Sequence, residues 1–532
     1  MEKMTNDDLE ARQIPNPLSP KPSEAVPFFL KTDRKSKHVQ IIVMLATIHF
    51  ALNFLKSPAI MWFYILELFF VAYYTLTLPL NKSIVPIFYL LFIEGQGRVV
   101  WNYNPVMRII FDAICGLAIL KSFATHKKII SNKLPNFFVA AIYLHFTWYG
   151  IQLFNINNVG FFNVLAASKV YIFPFLFFLS LLLNQFKEDE NDLKNLQLIA
   201  IALTFAECIL SWFQMSEREG GLISIASYYS QTMKGDAFIA HLFRPFGTSF
   251  LPGAISSYLW LTVGVILLPN WRGKLPNIVK FITIALSWYT IFLCQVRSGM
   301  VKHIAIVLIS IVGLTFVSKV RGLAIATNVL LILIVVSFLN LGGIGEKLTS
   351  GLDLQNAIDR YSIFTEDFKL GDHRATWDVG INQIILKISN APLGLGPSRT
   401  GAASGIAKSE ISEDPIFGSK ESFGWDNLFI ALAIDFGIGM IFYCFVVIGL
   451  PIFLSYKAII MFIKNSEKQY NELPVVTICA ISGIIIIIGN WAAIGLPYNP
   501  ESFMYWFWMA LGFNCCHSAN SSDKVVNSEP TK

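Results

Sequence analysis

The 532-residue sequence predicts an all-α, polytopic integral membrane protein of about fourteen (12–14) transmembrane helices, with a large helical extracytoplasmic loop. Three observations carry this expectation. First, 54% of the residues are hydrophobic and only 14% charged, more apolar surface than a soluble domain can bury. Second, the apolar residues gather in runs close to the roughly 20 residues that a helix needs to cross a bilayer. Third, lysines and arginines recur in every second connection, as they do in short cytoplasmic loops.

Residues 1–38 are polar and Pro-rich and lack an early apolar core. They are expected to form a disordered cytoplasmic tail rather than a cleaved signal peptide. Candidate spans follow at 39–55, 59–80, 84–95, 106–122, 137–154, 165–184 and 195–213, making an N-terminal transmembrane bundle over 39–213. A second region, 214–341, holds spans at 253–269, 278–295, 300–317 and 322–341. The spans at 427–454, 475–494 and 501–514 make the C-terminal group 427–514, with 515–532 as a second cytoplasmic tail. The third and the last runs are short for a crossing. With "KTDRKSK" placed inside, the loops "THKKIISNK", "NQFKEDENDLKN", "NWRGK", "SKVRG" and "SYKAIIMFIKNSEK" also fall inside, and both termini are cytoplasmic. Two outer segments are long, 214–252 and 342–426. A structureless connection of about 85 residues is uncommon, so the second is expected to be folded and functional.

Within that loop, Trp377, Ile381, Ile384, Ile385 and Ile388 fall at helical spacing. Asp372 is placed to cap the helix and Pro392 to limit it, with the turn Gly394-Leu395-Gly396-Pro397 beyond. Arg374 then sits in the first turn, at the positive end of the helix dipole. A cation there makes sense if it shares an anion with the free amides, and the glycine turn could bring further N–H groups to that anion.

Other cations fall on the same predicted outer face: Arg98, Arg108, Lys169, Arg244, Arg297, Lys302 and His303. Ordinary readings exist for several. Arg297 can snorkel at a helix end, Arg108 can pair with Asp112, Lys169 can pair with Glu207, Arg98 can be an ordinary interfacial arginine, and Arg374 can be a solvated loop residue. Yet short outer loops should be poor in cations, and here arginines recur beside glycines. A guanidinium fork matches phosphate oxygens, so a pyrophosphate at the headgroup level is a fitting partner. The seven cysteines show no metal-ligand or disulfide spacing, and no basic run resembles a nucleic-acid surface.

Four stretches, "RPFGTSFLPGAISSYLWL", "CQVRSGMVKHIAIVL", "RATWDVGINQIILKISNAPLGLGP" and "WDNLFIALAIDFGIGMIFY", stand in series over roughly residues 240–445. In this order and spacing the chain resembles the O-antigen ligase / Wzy-type polysaccharide polymerase superfamily, making 214–341 the first part of an O-antigen ligase-like membrane region. The resemblance implies a metal-independent membrane glycosyltransferase without a cofactor, in a bacterial inner or plasma membrane. It would polymerise undecaprenyl-pyrophosphate-linked oligosaccharide repeats at the outer face, in O-antigen, capsule or exopolysaccharide biosynthesis. Its partners would be the lipid-linked donor, a glycan acceptor, the bilayer and a chain-length regulator, with no nucleic acid. The implied catalytic residues are Arg374, Arg297 and Asp426. Arg244, Arg98, Lys302, Gly394, Gly396 and Asn427 are the implied contacts to pyrophosphate or glycan.

One departure stands out. The ligases carry histidine before the asparagine, where this chain has Asp426 before Asn427. Asp426 could accept the acceptor hydroxyl proton or merely cap the next helix, and Glu94, Glu421 and Asp435 are alternatives for the base. The missing histidine favours polymerase over ligation to a lipid or protein acceptor. A transporter or flippase of an anionic or lipid-linked solute remains the rival class, with Arg108, Asp112, Lys169 and Glu207 along its path. A scaffold without chemistry leaves the outer arginines unexplained. Trp101, Tyr228, Tyr229 and Trp425 are either sugar platforms or interfacial belt residues.

Overall fold

The computed structural model describes residues 37–101, 106–125, 133–157, 161–183, 190–216, 238–239, 242–249, 251, 253–270, 273–294, 296–317, 377–397, 399, 427–464, 472–491, 496 and 499–526. Helices dominate these residues; the exception is a two-residue antiparallel pairing, β1 (Phe238–Ile239) with β2 (Leu242–Phe243). The first eight helices are α1 (Lys37–Phe54), α2 (Ile60–Thr77), α3 (Leu80–Val100), α4 (Met107–Thr125), α5 (Asn136–Gln152), α6 (Phe161–Tyr171), α7 (Phe173–Leu183) and α8 (Glu190–Ser216). After the β pair come α9 (Ile255–Ile266), α10 (Lys274–Leu293) and α11 (Arg297–Val317). The last group is α12 (Trp377–Asn390), α13 (Leu428–Phe436), α14 (Met440–Lys464), α15 (Leu473–Gly489) and α16 (Glu501–Val526).

Among the described residues six stretches are long and apolar enough to cross a membrane, counting α13 and α14 together as one, and the chain is membrane-embedded. The expected elements hold in outline and shift in detail. The short third run becomes the 21-residue α3, and the last run extends to Val526, into the stretch read as a tail. The run 165–184 is broken between Tyr171 and Phe173, with Pro174 in the first turn of α7, where a missing N–H is tolerated. The run 427–454 is broken by a short 3-10 turn at Gly437–Gly439 and continues to Lys464. The expected span 322–341 lies outside the described residues.

α1 and α2 keep most of their surface exposed, including Met44, Trp62, Phe69 and Tyr73, as lipid-facing helices do. α3 is buried along most of its length, and α15 packs among α11, α14 and α16. Without water to drive apolar surfaces together inside a bilayer, close approach does the work. Gly264 of α9 shows it: a Cβ there would stand 2.8 Å from the Trp508 ring.

One end of the bundle is stitched by lysines on helix carbonyls. Lys121 Nζ donates to the Leu76 and Leu78 oxygens at 2.5 Å each, and Lys133 Nζ to the Leu182 oxygen at 2.5 Å and to Asn514. Lys280 Nζ reaches the Leu268 oxygen at 2.9 Å. Carbonyls at helix C-termini lack intrahelical partners and carry the negative end of the dipole, so a cation satisfies both needs. These lysines belong to the basic connections or lie beside them.

Candidate functional site

At the opposite end, helix termini are tied together by glycines, amides and one ion pair. α12 and α13 run parallel. Near their N-termini, Gly380 is pressed on the Trp491 ring, where a Cβ would stand 2.6 Å from Cζ2, and Trp491 meets Phe429 with centroids 5.7 Å apart. Near their C-termini, the turn after α12 docks on the end of α13. Leu395 N–H donates to the Ile434 oxygen at 2.7 Å and Gly396 N–H to the Asp435 oxygen at 3.0 Å. Trp148 Nε1 donates to the Phe436 oxygen at 3.0 Å, while Gly437 N–H closes on the Ala433 oxygen. All four terminal carbonyls of α13 are thereby satisfied.

The two glycine motifs are halves of one clasp. Gly394 and Gly437 have φ of +80° and +55°. A Cβ on Gly394 would collide with the Asp435 carbonyl, and one on Gly437 with the Pro392 carbonyl. Only glycine meets both demands, the backbone sign and the contact. From the end of α5, Gln152 Nε2 donates to the Leu393 oxygen at 2.7 Å, and from the residues just after it Asn155 Nδ2 donates to the Gly394 oxygen at 3.0 Å. Gly394 N–H closes on the Ala391 oxygen at 2.8 Å. The turn therefore commits its N–H groups to protein carbonyls, and the expectation that Gly394 and Gly396 offer amides to an anion gives way to packing.

The apolar stripe of α12 is likewise only half used. Ile384 and Ile388 pack inward, while Ile381 and Ile385 stay exposed, because Gly380 selects the face that closes on Trp491. Arg374 and Asp426 lie outside the described residues, immediately upstream of α12 and α13. The residue that caps α13 is Asn427, whose Oδ1 accepts the Phe429 and Ile430 N–H groups at 2.9 and 3.2 Å. Its Nδ2 is buried with no protein partner among the described residues.

α11 joins the same end through a buried hub. Lys302 Nζ meets Glu501 Oε1 at 2.8 Å and lies 5.0 Å from the Trp260 ring centroid. Glu501 Oε2 accepts from Asn490 Nδ2 at 3.2 Å, and the Asn490 carbonyl accepts the Leu428 N–H at 3.2 Å. Arg297 opens α11, about 7.5 Å along the axis from Lys302. The N-terminal ends of α11, α12 and α13 thus converge on Asn490 and Trp491. Each brings the positive end of a dipole, and at α13 the first amides are already committed, Leu428 to the Asn490 carbonyl and Phe429 and Ile430 to Asn427 Oδ1.

Arg244 is brought beside this end by the turn 244–249. Gln214 accepts the Phe246 and Gly247 N–H groups at 3.0 and 2.8 Å and donates to the Gly247 oxygen at 3.0 Å. Thr248 donates its N–H to Glu207 Oε2 at 3.1 Å, and its hydroxyl sits between Glu207 and the Phe92 oxygen. A Cβ on Gly253 would be 3.4 Å from Arg244 Cδ and 3.2 Å from Val296 Cγ2. The buried stem of Arg244 therefore lies against the junction of α10 and α11.

The remaining charges form pairs that differ from the expected ones. Lys169 reaches Asp112 on α4, and Glu207 is taken up by Thr248, so the expected Lys169–Glu207 pairing gives way, while the side chain of Arg108 lies outside those described. Arg98 pairs with Glu94 one turn earlier on α3. The buried Tyr64 and Tyr258 hydroxyls have no partner among the described residues. His303 meets Ser287 Oγ at 2.9 Å, and Asp435 accepts from Tyr171 at 2.9 Å. Two anchors went unnoticed in the sequence, Glu501 and the buried pair His49–Glu67. Carboxylates inside apolar runs were the available signal, since an ionisable group there needs a partner.

Fold and site together define a membrane-embedded helical protein with a polar centre built at one end of its bundle. In comparison with known protein families and with curated proteins, the chain matches none.

Proposed function

We propose that the chain is a membrane glycosyltransferase of the Wzy/O-antigen ligase type, polymerising undecaprenyl-pyrophosphate-linked oligosaccharide repeats at the outer face of its membrane. One observation supports this above the others: three helix N-termini converge, with Arg244 buried beside the first of them. Such a convergence suits a multiply charged anion, because helix dipoles and guanidinium act on the same oxygens. In this reading Arg244, Arg297 and Arg374, the last immediately upstream of α12, hold the donor pyrophosphate. The bond between the anomeric carbon and the phosphate oxygen breaks, and the charge left on the pyrophosphate is offset by the arginines. An acceptor sugar hydroxyl attacks that carbon and passes its proton to Asp426, while Asn427 Nδ2 steadies a sugar oxygen. Lys302, Gly394 and Gly396 act as framework for the site.

A second reading, a transporter of an anionic or lipid-linked solute, draws on the cluster Glu94, Arg98, Asp112 and Lys169 among the helices. One experiment separates the two. Purified full-length protein in lipid is given the lipid-linked repeat unit from its own host, and glycan length and released undecaprenyl pyrophosphate are followed. A ladder that is lost in well-folded Arg374→Lys and Arg244→Lys proteins supports the polymerase and the need for a guanidinium. Absence of transfer with movement of the lipid-linked substrate across the bilayer leaves the transporter.

A further inference from the structure

Against the turn that carries Arg244 lies a cavity of about 350 Å³, walled by Leu52, Lys56, Ser57, Val100, Phe213 and Phe246. Its floor is the amide pair Asn53 and Gln96. Asn53 Nδ2 donates to the His49 carbonyl at 2.9 Å, which fixes which end of this carboxamide is nitrogen. Asn53 Nδ2 also donates to Gln96 Oε1 at 3.1 Å, so the Gln96 orientation follows, with its Nε2 on Asn53 Oδ1. His49 Nε2 lies 2.7 Å from Gln96 Oε1, and His49 Nδ1 lies 3.0 Å from both Glu67 oxygens. Both ring nitrogens face acceptors, the hydrogen-bonding demand of an imidazolium held on a carboxylate. Tyr89 donates to Glu67 at 2.5 Å and completes the support.

Both amides line the cavity, and this chain of bonds leaves two groups uncommitted among the described residues: the second hydrogen of Gln96 Nε2 and a lone pair of Asn53 Oδ1. A donor beside an acceptor matches hydroxyl groups, which both give and take a hydrogen bond. Phe213 and Phe246 add apolar walls for the C–H face of a ring. Among the described residues no guanidinium lines the cavity, and the lysine on its wall, Lys56, lies over the Phe213 ring with Nζ 5.5 Å from the centroid. The volume lies in the ordinary range for small-molecule pockets, large enough for one or two sugar rings.

We infer that this cavity binds a sugar of the acceptor glycan, the turn 244–249 both walling it and carrying Arg244 for the donor's charged head. The inference rests on the glycosyltransferase reading. The floor amides take the sugar hydroxyls, and their orientation is set by His49 and Glu67 rather than by the ligand.

The test uses full-length protein in nanodiscs and, as probe, the free repeat oligosaccharide released by mild acid from the host's lipid-linked precursor. Binding is read by saturation-transfer NMR and chain extension by the glycan ladder. Two variants fill the cavity from different walls, Ser57→Trp and Val100→Trp, each checked for a monodisperse elution profile. The expected result is loss of the saturation-transfer signal in both, with the acceptor concentration for half-maximal extension raised at least about tenfold, a loss of about 1.4 kcal/mol of binding. If wild type extends chains and both filled variants bind and extend as well as it does, the cavity assignment is overturned and the polymerase stands. If wild type binds the oligosaccharide, the filled variants do not, and no protein extends chains, the sugar site stands and the polymerase reading falls. Absence of both binding and extension in wild type overturns both.

Discussion

Replacing either member of the Lys302–Glu501 pair should destabilise the protein more than replacing both. The charged atoms are 2.8 Å apart and both side chains are buried. At an effective dielectric of about 20, that separation corresponds to an attraction of about 6 kcal/mol. Much of it is offset by the cost of removing two ions from water, so the pair itself contributes little net stability. Removing one partner is different, because an uncompensated charge stays inside. Lys302→Met and Glu501→Leu should each cost about 3–5 kcal/mol. In the double variant no charge remains, and the loss should shrink to about 1.5–3 kcal/mol, the value of the Asn490 hydrogen bond to the Glu501 carboxylate. The assay is a double-mutant cycle on unfolding in mixed micelles, supported by melting curves from size-exclusion profiles. Additive losses in the double variant, or singles within about 0.5 kcal/mol of wild type, refute the reasoning. The same proteins decide what Lys302 does. A stable double variant that still extends chains assigns it to the framework, whereas a stable but inactive one returns it to the binding site.

Other outcomes follow from the same geometry. Gly394→Ala and Gly437→Ala each force a side chain into a positive-φ position against a carbonyl, so each should cost at least about 1–3 kcal/mol. Since both break one clasp, the pair combined should cost less than the sum, read from melting temperatures. Asn427→Ala should lose about 0.5–2 kcal/mol with its cap. Asn427→Asp keeps the cap and removes the Nδ2 donor, so it should melt like wild type and extend chains more slowly. Thr248→Val deletes the hydroxyl that bridges Glu207 and the Phe92 oxygen and should cost about 1–3 kcal/mol. Because it loosens the turn that carries Arg244, the donor concentration for half-maximal rate should rise as well.

Hydropathy and basic loops made the helices readable, since each span reports its own apolar run. The neighbours of each span were not readable. Lys169 finds Asp112 and Lys302 finds Glu501 across long sequence separations, and no local pattern tells which helices touch. The glycine turn after α12 was evident from "PLGLGP", but its partner was not, because a turn announces its own φ angles and not what it docks on. Asp426 and Asn427 are both good caps by type. The choice fell to the backbone, which is extended at Asn427, with φ −138° and ψ 113°. The split at Tyr171–Phe173 escaped notice because apolar composition continues across it.

The clasp between the turn after α12 and the end of α13 has a consequence for how the chain is made. Synthesis proceeds from the N-terminus, so the end of α5 and the residues just after it present Gln152 and Asn155 long before the turn emerges. The carbonyls of Ile434 and Asp435 emerge only later, and Asn490, which receives the Leu428 N–H, later still. The polar centre therefore cannot close until α15 and the start of α16 have left the ribosome. A nascent chain stalled before that point would carry Lys302 without its partner Glu501. The closed polar centre is thus withheld from every incomplete copy by the order of translation alone.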